Sequence, residues 1–225
     1  MKKLTQIALA VAALAAAVDA SAAVQTYTVN SNVLNYTKSS AAGALDFAKF
    51  DATLGTLESV QVQLFSNLGT TVKVENTSTS SASTIKATAG ALLTFTLSGV
   101  SQTLTSSDSH TFNASVFDGL SNYAGTSGGS YTFSSPFSSS STYSDAASLA
   151  LFSGTGSAHA NLAASTTSVI AGISGNTRSL VLPSFSGYAK VTYTYATPVP
   201  EPETYAMLLG GLALVGAIAR RRKSA

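Results

Sequence analysis

Residues 60–64 read Val60-Gln61-Val62-Gln63-Leu64, branched apolar side chains alternating with amides at a period of two. In an extended chain successive side chains point to opposite faces, so Val60, Val62 and Leu64 form a dry row and Gln61 and Gln63 a wet one. The same period recurs outward along the chain. Val72 and Val74 alternate with Lys73 and Glu75 behind a turn at residues 67–69. Leu93, Phe95 and Leu97 alternate with Thr94 and Thr96 ahead of Ser98 and Gly99, and Val191, Tyr193 and Tyr195 alternate with Lys190, Thr192 and Thr194 between Gly187 and Pro198. Shorter runs at 27–29, 111–116, 131–133, 148–152, 169–173 and 179–182 count as further strands. Residues 158–164 come nearest to a helical stripe, but Gly156 and the threonines beyond disfavour a long helix there. About ten short strands separated by Ser, Thr, Gly and Asn predict an all-β fold, an antiparallel β-sandwich of jelly-roll-like type. No repeat of 20–50 residues is present, which argues against a solenoid or propeller. The serine- and glycine-rich segments 78–83 and 127–144 hold little to bury and predict flexible surface loops.

The two ends differ from this middle. Lys2 and Lys3 precede an apolar stretch from Leu4 to Val18, and the small residues Ala20, Ser21, Ala22 and Ala23 follow. That three-part order predicts a secretory signal peptide over 1–23 that forms a signal helix, is handled by the Sec machinery and signal peptidase, and leaves a mature chain starting near Ala23 or Val24. At the other end, an apolar run from Tyr205 to Ala219 stops at Arg220, Arg221, Arg222 and Lys223. As a helix at about 1.5 Å per residue it reaches roughly 22 Å, short of the roughly 30 Å hydrocarbon core. It predicts a single short transmembrane helix, helped across by snorkelling cations and local thinning, and so a transient inner-membrane anchor. Positive charge stays on the cytoplasmic side, which puts the preceding domain, 24–197, outside.

With both ends set aside, residues 24–200 carry six basic and seven acidic side chains, a net charge of −1. The basic pI of the whole chain therefore belongs to its ends, and no basic stripe interleaved with aromatics argues for nucleic acid. Cysteine is absent, so the exported domain must rely on its apolar core. Residues 24–197 are enough for one, since chains of that size bury about 70% of the surface they expose when unfolded.

Val199, Pro200, Glu201 and Pro202, followed by the apolar run and the basic cluster, closely resemble the PEP-CTERM sorting signal. The resemblance implies recognition of the tail, 198–225, by exosortase, a membrane-embedded cysteine transpeptidase of Gram-negative bacteria that make extracellular polysaccharide. The prolines suit that role, because each fixes its own φ and disfavours helix at the residue before it, leaving the motif extended. The middle domain is similar to the group called choice-of-anchor E, on Leu45, Phe50, Asp51, Leu54, Gly55, Thr56 and Leu57, on Phe117, Asp118 and Gly119, on Tyr123 and Gly125 to Gly128, and on the tyrosine-rich last strand. That group carries no catalytic residues to transfer, and it implies a sandwich.

Chemical motifs in the middle are weak. Gly125-Thr126-Ser127-Gly128-Gly129 satisfies the G-x-S-x-G pattern, but a nucleophile elbow needs a strand before it and a helix after it, and 131–133 reads as a strand. Only His110 and His159 could serve as a base. Ser83 and Lys86 form an S-x-x-K without its usual partners. Asp108 and His110 share a strand face, but two ligands are too few for a metal. Asp118, Gly119 and Asn122 could offer oxygens to Ca²⁺, but the pattern is first of all that of a turn in which Asp caps local amides. Asn35, Asn76 and Asn113 begin N-x-S/T sequons, which by themselves license nothing. The expectation is a non-enzymatic protein without metal or cofactor, exported to the cell surface or extracellular matrix, structural there and associated with exopolysaccharide. The alternative is a carbohydrate-binding module, with a ligand loop at Asp118, Tyr123 and Tyr131 and a further tyrosine at Tyr143.

Overall fold

The computed structural model describes residues 22–172 and 176–198, with Met207 and residues 210–216 as helix. The described chain is mostly strand, in antiparallel sheets. It clusters into two units: a large one of Thr26–Ala52 and Leu57–Thr194, and a small one holding Thr53–Thr56 with the residues up to Gln25 and from Tyr195 onward.

The alternation at 60–64 becomes β4 (Thr56–Leu68), with Val60, Val62, Leu64 and Leu68 buried and Gln61 exposed. β4 lies inside a five-stranded sheet, β1 (Val24–Asn30), β12 (Phe185–Ala196), β4 and β9 (Ser135–Tyr143), with β2 (Leu34–Tyr36) also paired to β12. A second sheet runs β3 (Ser40–Ala48), β10 (Ser157–Gly172), β6 (Ser83–Leu97), β7 (Val100–Ala114). A third is formed by β11 (Thr177–Leu182), β5 (Thr71–Asn76) and β8 (Gly128–Thr132).

The apolar rows meet inside the large unit. β6 buries Ile85, Ala87, Ala89, Ala91, Leu93 and Phe95, and β10 buries Ala158, Ala160 and Leu162. Against them stands the buried row of β12, Phe185, Ala189, Val191 and Tyr193. A Cβ on Gly187 would lie 2.8 Å from Leu162 Cδ2 and 2.9 Å from Leu93 Cδ2, so a side chain there would have to displace both buried leucines. The Tyr36 hydroxyl donates to the Leu162 carbonyl at 3.2 Å and the Tyr193 hydroxyl to the Ala48 carbonyl at 2.7 Å. These contacts between sheets are consistent with a β-sandwich.

β6 and β7 pair over their full length and join through Ser98 and Gly99, with Leu97 opposite Val100. Both turn residues have positive φ, 41° and 106°, the backbone that matches the twist of a two-residue hairpin.

Two local expectations are corrected. Residues 148–152 belong to a helix, α1 (Ala146–Phe152), whose N-cap Asp145 accepts from the Ser148 amide at 2.9 Å. That cap and the alanines and leucines behind it outweigh the apolar run as a strand signal. The serine-rich stretch 127–144 is largely β8 and β9, with Ser138 to Ser141 laddered against Phe65 to Val62. Backbone pairing to a central strand ordered hydroxyl-bearing residues that have little apolar surface of their own. Residues 158–164, where Gly156 and the threonines disfavour a long helix, are indeed not helical and form the middle of β10. β3 was not anticipated, because its buried positions, Leu45 and Phe47, occupy only its second half.

In the small unit the Thr197 amide and hydroxyl both donate to the Ala23 carbonyl, at 3.0 and 3.2 Å. Gly55, at φ 148°, passes so close to the Ala196 carbonyl that any Cβ would overlap it. Residues 1–21 of the signal segment, the motif residues Val199, Pro200, Glu201 and Pro202, and the basic cluster Arg220, Arg221, Arg222 and Lys223 lie outside the described residues. Among the described residues no helix is long and apolar enough to cross a membrane.

Candidate functional site

Of the anticipated ligand residues, Tyr131 lies on β8, and Asp118 and Tyr123 lie in the segment 115–127 that connects β7 to β8 and is tied to the end of β5. Glu75 is fully buried there, and so is Ser127. The Ser127 hydroxyl donates to Glu75 Oε1 at 2.5 Å, and the Tyr123 amide donates to Glu75 Oε2. A carboxyl group so deeply buried is costly unless donors reach it, and this loop supplies two. Asn76 next to it is equally buried, and its side-chain amide donates to the carbonyls of Ser81 and Ser115 at 2.8 Å each. The Ser115 amide donates to Thr126 O and the Asn76 amide to Ser127 O, both at 2.8 Å.

Each anticipated residue then has a definite place. The Asp118 carboxylate accepts from the Leu120 amide at 3.0 Å, and the Asn122 side-chain oxygen accepts from the Ala124 amide at 2.9 Å. Both oxygens are engaged in local turns, the arrangement that competes with cation binding. Tyr123 has φ 60°, a conformation that costs a bulky residue about 1–3 kcal/mol. Its amide on Glu75 and the Arg178 guanidinium 5.9 Å from its ring centre hold it there. Tyr131 sits on β8, stacked on His110 with centroids 3.8 Å apart and planes 6° apart. Tyr143 is on β9 rather than at a loop tip, its ring 6.1 Å from that of Phe152.

The hydrolase-like motif does not form an elbow. Ser127 follows a loop and precedes β8, with no helix after it. The histidines are engaged elsewhere, His110 with Tyr131 and His159 in a 2.6 Å contact from Nδ1 to Asp46 Oδ1 on an exposed face. Asp108 accepts from the Ser135 hydroxyl at 2.8 Å, so the Asp108 and His110 pair has partners other than a metal. Among the described residues no group of three or more His, Cys, Asp or Glu side chains could hold a metal ion.

One grouping escaped the sequence reading. Phe65 of β4 and Tyr188 of β12 stack with centroids 5.0 Å apart and planes 10° apart. They lie far apart in the chain, and only the pairing of β4 with β12 brings them together.

Fold and tail together define a class: a mostly β domain of antiparallel sheets followed by a C-terminal sorting segment. Residues 198–223 match the family model described as the PEP-CTERM protein-sorting motif. That motif implies exosortase-dependent export sorting, with exosortase as the processing partner and processing in membrane transit. No curated protein matches the chain. Among solved structures the chain is similar to infectious bursal disease virus Gt strain at 11% identity, over 88% of this chain and 52% of that one, with a TM-score of 0.16. It is also similar to T=1 particles derived from that virus at 9% identity, over 86% and 48%, with a TM-score of 0.17. The chain spans about half the length of these viral chains, and at such scores the likeness carries no argument.

Proposed function

We propose that this chain is an exported, non-enzymatic structural protein of the cell surface or extracellular matrix, associated with exopolysaccharide in a biofilm and delivered there by exosortase. Its body is a jelly-roll-like β-sandwich of the choice-of-anchor E type. The Sec machinery and signal peptidase handle its N-terminus, and a short transmembrane helix at its C-terminus holds it at the inner membrane until Val199, Pro200, Glu201 and Pro202 are engaged. Arg220, Arg221, Arg222 and Lys223 stop and orient that helix. The observation that carries the reading is the sorting-motif match over 198–223, which begins two residues after β12 ends at Ala196.

Cell fractionation with one antibody against the β domain and another against the tail tests it. In cells with the sorting enzyme, the domain antibody detects a shorter species outside the inner membrane that the tail antibody misses. In cells without the enzyme, or with Glu201→Ala and Pro202→Ala together, the full-length form accumulates in the inner membrane. A single full-length inner-membrane species under all conditions overturns the reading.

Carbohydrate binding is the second reading. The half-buried, stacked rings of Phe65 and Tyr188 favour it, since parallel aromatic faces on a polar sheet suit sugar rings better than they suit a passive surface.

A further inference from the structure

Phe65 and Asn67 alternate along β4 with the buried Leu64, Ser66 and Leu68, so their side chains stand on the outward face of the five-stranded sheet. Tyr188 alternates along β12 with the buried Gly187 and Ala189 and stands on the same face. With Ser66, Pro136, Phe137 and Ser186 they line a cleft of about 180 Å³. No lining residue carries a formal charge. Neither do the outward neighbours Gln61, Gln63, Ser138, Ser140 and Thr142, and the single cation in the outward rows is Lys190.

We infer that this cleft, built on the stacked Phe65–Tyr188 pair and the Asn67 amide, binds an uncharged polysaccharide one pyranose ring at a time. The inference rests on the carbohydrate-binding reading and gives it a place and a ligand class. A pyranose ring presents polarised C–H bonds on its faces and hydroxyls around its rim. The negative face of an aromatic ring attracts the former, while amides and hydroxyls satisfy the latter as both donors and acceptors. Asn67 is exposed and offers both amide functions, and Ser186 adds a hydroxyl. The volume is well below the roughly 300 Å³ at which sites enclose whole small ligands, so it suits one unit of a longer chain. A polyanion would need more cations than Lys190, and a lipid surface would need a wider apolar area. Tyr123 and Tyr131 are a poorer platform, because Arg178 stands over the Tyr123 ring, and Tyr131 on β8 has His110 stacked on it at 3.8 Å and the Phe133 ring edge-on at 5.0 Å.

Affinity electrophoresis of the full chain through gels containing soluble β-glucan, dextran or alginate decides the matter, with thermal melting run on the same samples. The wild type is retarded by at least one of the two neutral glucans and not by alginate. Phe65→Ala and Tyr188→Ala weaken that retardation about tenfold. Tyr188→Phe keeps it within about threefold, since the stacking face survives, and Tyr123→Ala leaves it unchanged. Where an alanine variant at 65 or 188 melts below the assay temperature, Asn67→Ala at its exposed position decides instead. It weakens binding about threefold if the cleft is the site, and unchanged binding overturns the assignment. Glucan binding lost with Tyr123→Ala but kept in the cleft variants overturns the site and leaves the carbohydrate reading standing. No retardation of the wild type by either glucan overturns both, and binding to alginate alone overturns the ligand class.

Discussion

Ser127 shows how a single residue is read differently by pattern and by place. In the sequence it is the middle of a G-x-S-x-G; in the fold it is a buried hydroxyl held against a buried carboxyl group, 2.5 Å from Glu75 Oε1. Its surroundings explain why glycine follows. A Cβ at position 128 would stand 2.4 Å from the Ala124 amide nitrogen, so the loop closes on β8 only over a bare backbone. Ser127→Ala removes one of the two donors reaching Glu75 and is expected to cost about 1–3 kcal/mol, measured by denaturant unfolding. Ser127→Ala with Glu75→Gln is then expected to lose less than the sum of the single variants, because the two side chains share one hydrogen bond. The Glu75–Ser127 partnership was not legible in the sequence: the residues are 52 positions apart, and Glu75 reads there as the wet side of a strand.

Strands with clean alternation were legible as elements because burial of one sheet face is itself what selects the period of two. β4, β5, β6 and β12 follow from residues 60–64, 72–75, 93–97 and 190–195, and the Ser98–Gly99 turn follows from the chemistry of positive φ. The failures have an equally local cause. α1 is not legible although Asp145 is a good N-cap, because an apolar run of four residues, Leu149 to Phe152, carries no period long enough to separate helix from strand. β9 was missed because it is the edge of its sheet and draws its order from backbone ladders with β4 rather than from its own side chains. The N-cap makes a prediction at this scale. Bonds from the Ser148 hydroxyl and then the Ser148 amide hold the exposed Asp145 carboxyl below its ordinary 3.8. A carboxyl group whose pKa is lowered by folding stabilises the fold above its ordinary value and loses that contribution as pH falls below it. Asp145→Ala is therefore expected to melt at a lower temperature than wild type at pH 7. The gap narrows as pH drops below 3.8, as differential melting across a pH series will show.

Across the whole molecule, buried and half-buried tyrosines are expected to set the alkaline limit. Burial raises the phenol pKa of Tyr193 first through desolvation and then through the charge of Tyr27, and desolvation also raises those of Tyr36 and Tyr143. An acid whose folded pKa is raised stabilises the fold below its ordinary value of 10.0 and loses that contribution as pH rises through the folded value. Stability is expected to fall steadily from about pH 10 upward. Tyr193→Phe is expected to flatten that fall while lowering stability at pH 7, because its hydroxyl no longer reaches the Ala48 carbonyl, and urea midpoints at pH 7, 9, 10 and 11 check both signs. The sequence by itself determined the strand-rich middle, the composition of both ends and the sorting motif, because each is written in contiguous residues whose period, charge or proline content acts locally. Only the tertiary structure decided which strands neighbour one another, and with that the burial of Glu75 under its loop, the ordering of the serine-rich edge and the meeting of Phe65 with Tyr188. Each of these depends on hydrogen-bonded pairing between segments distant in the chain, and alternation specifies which face a side chain takes but not which strand lies beside it.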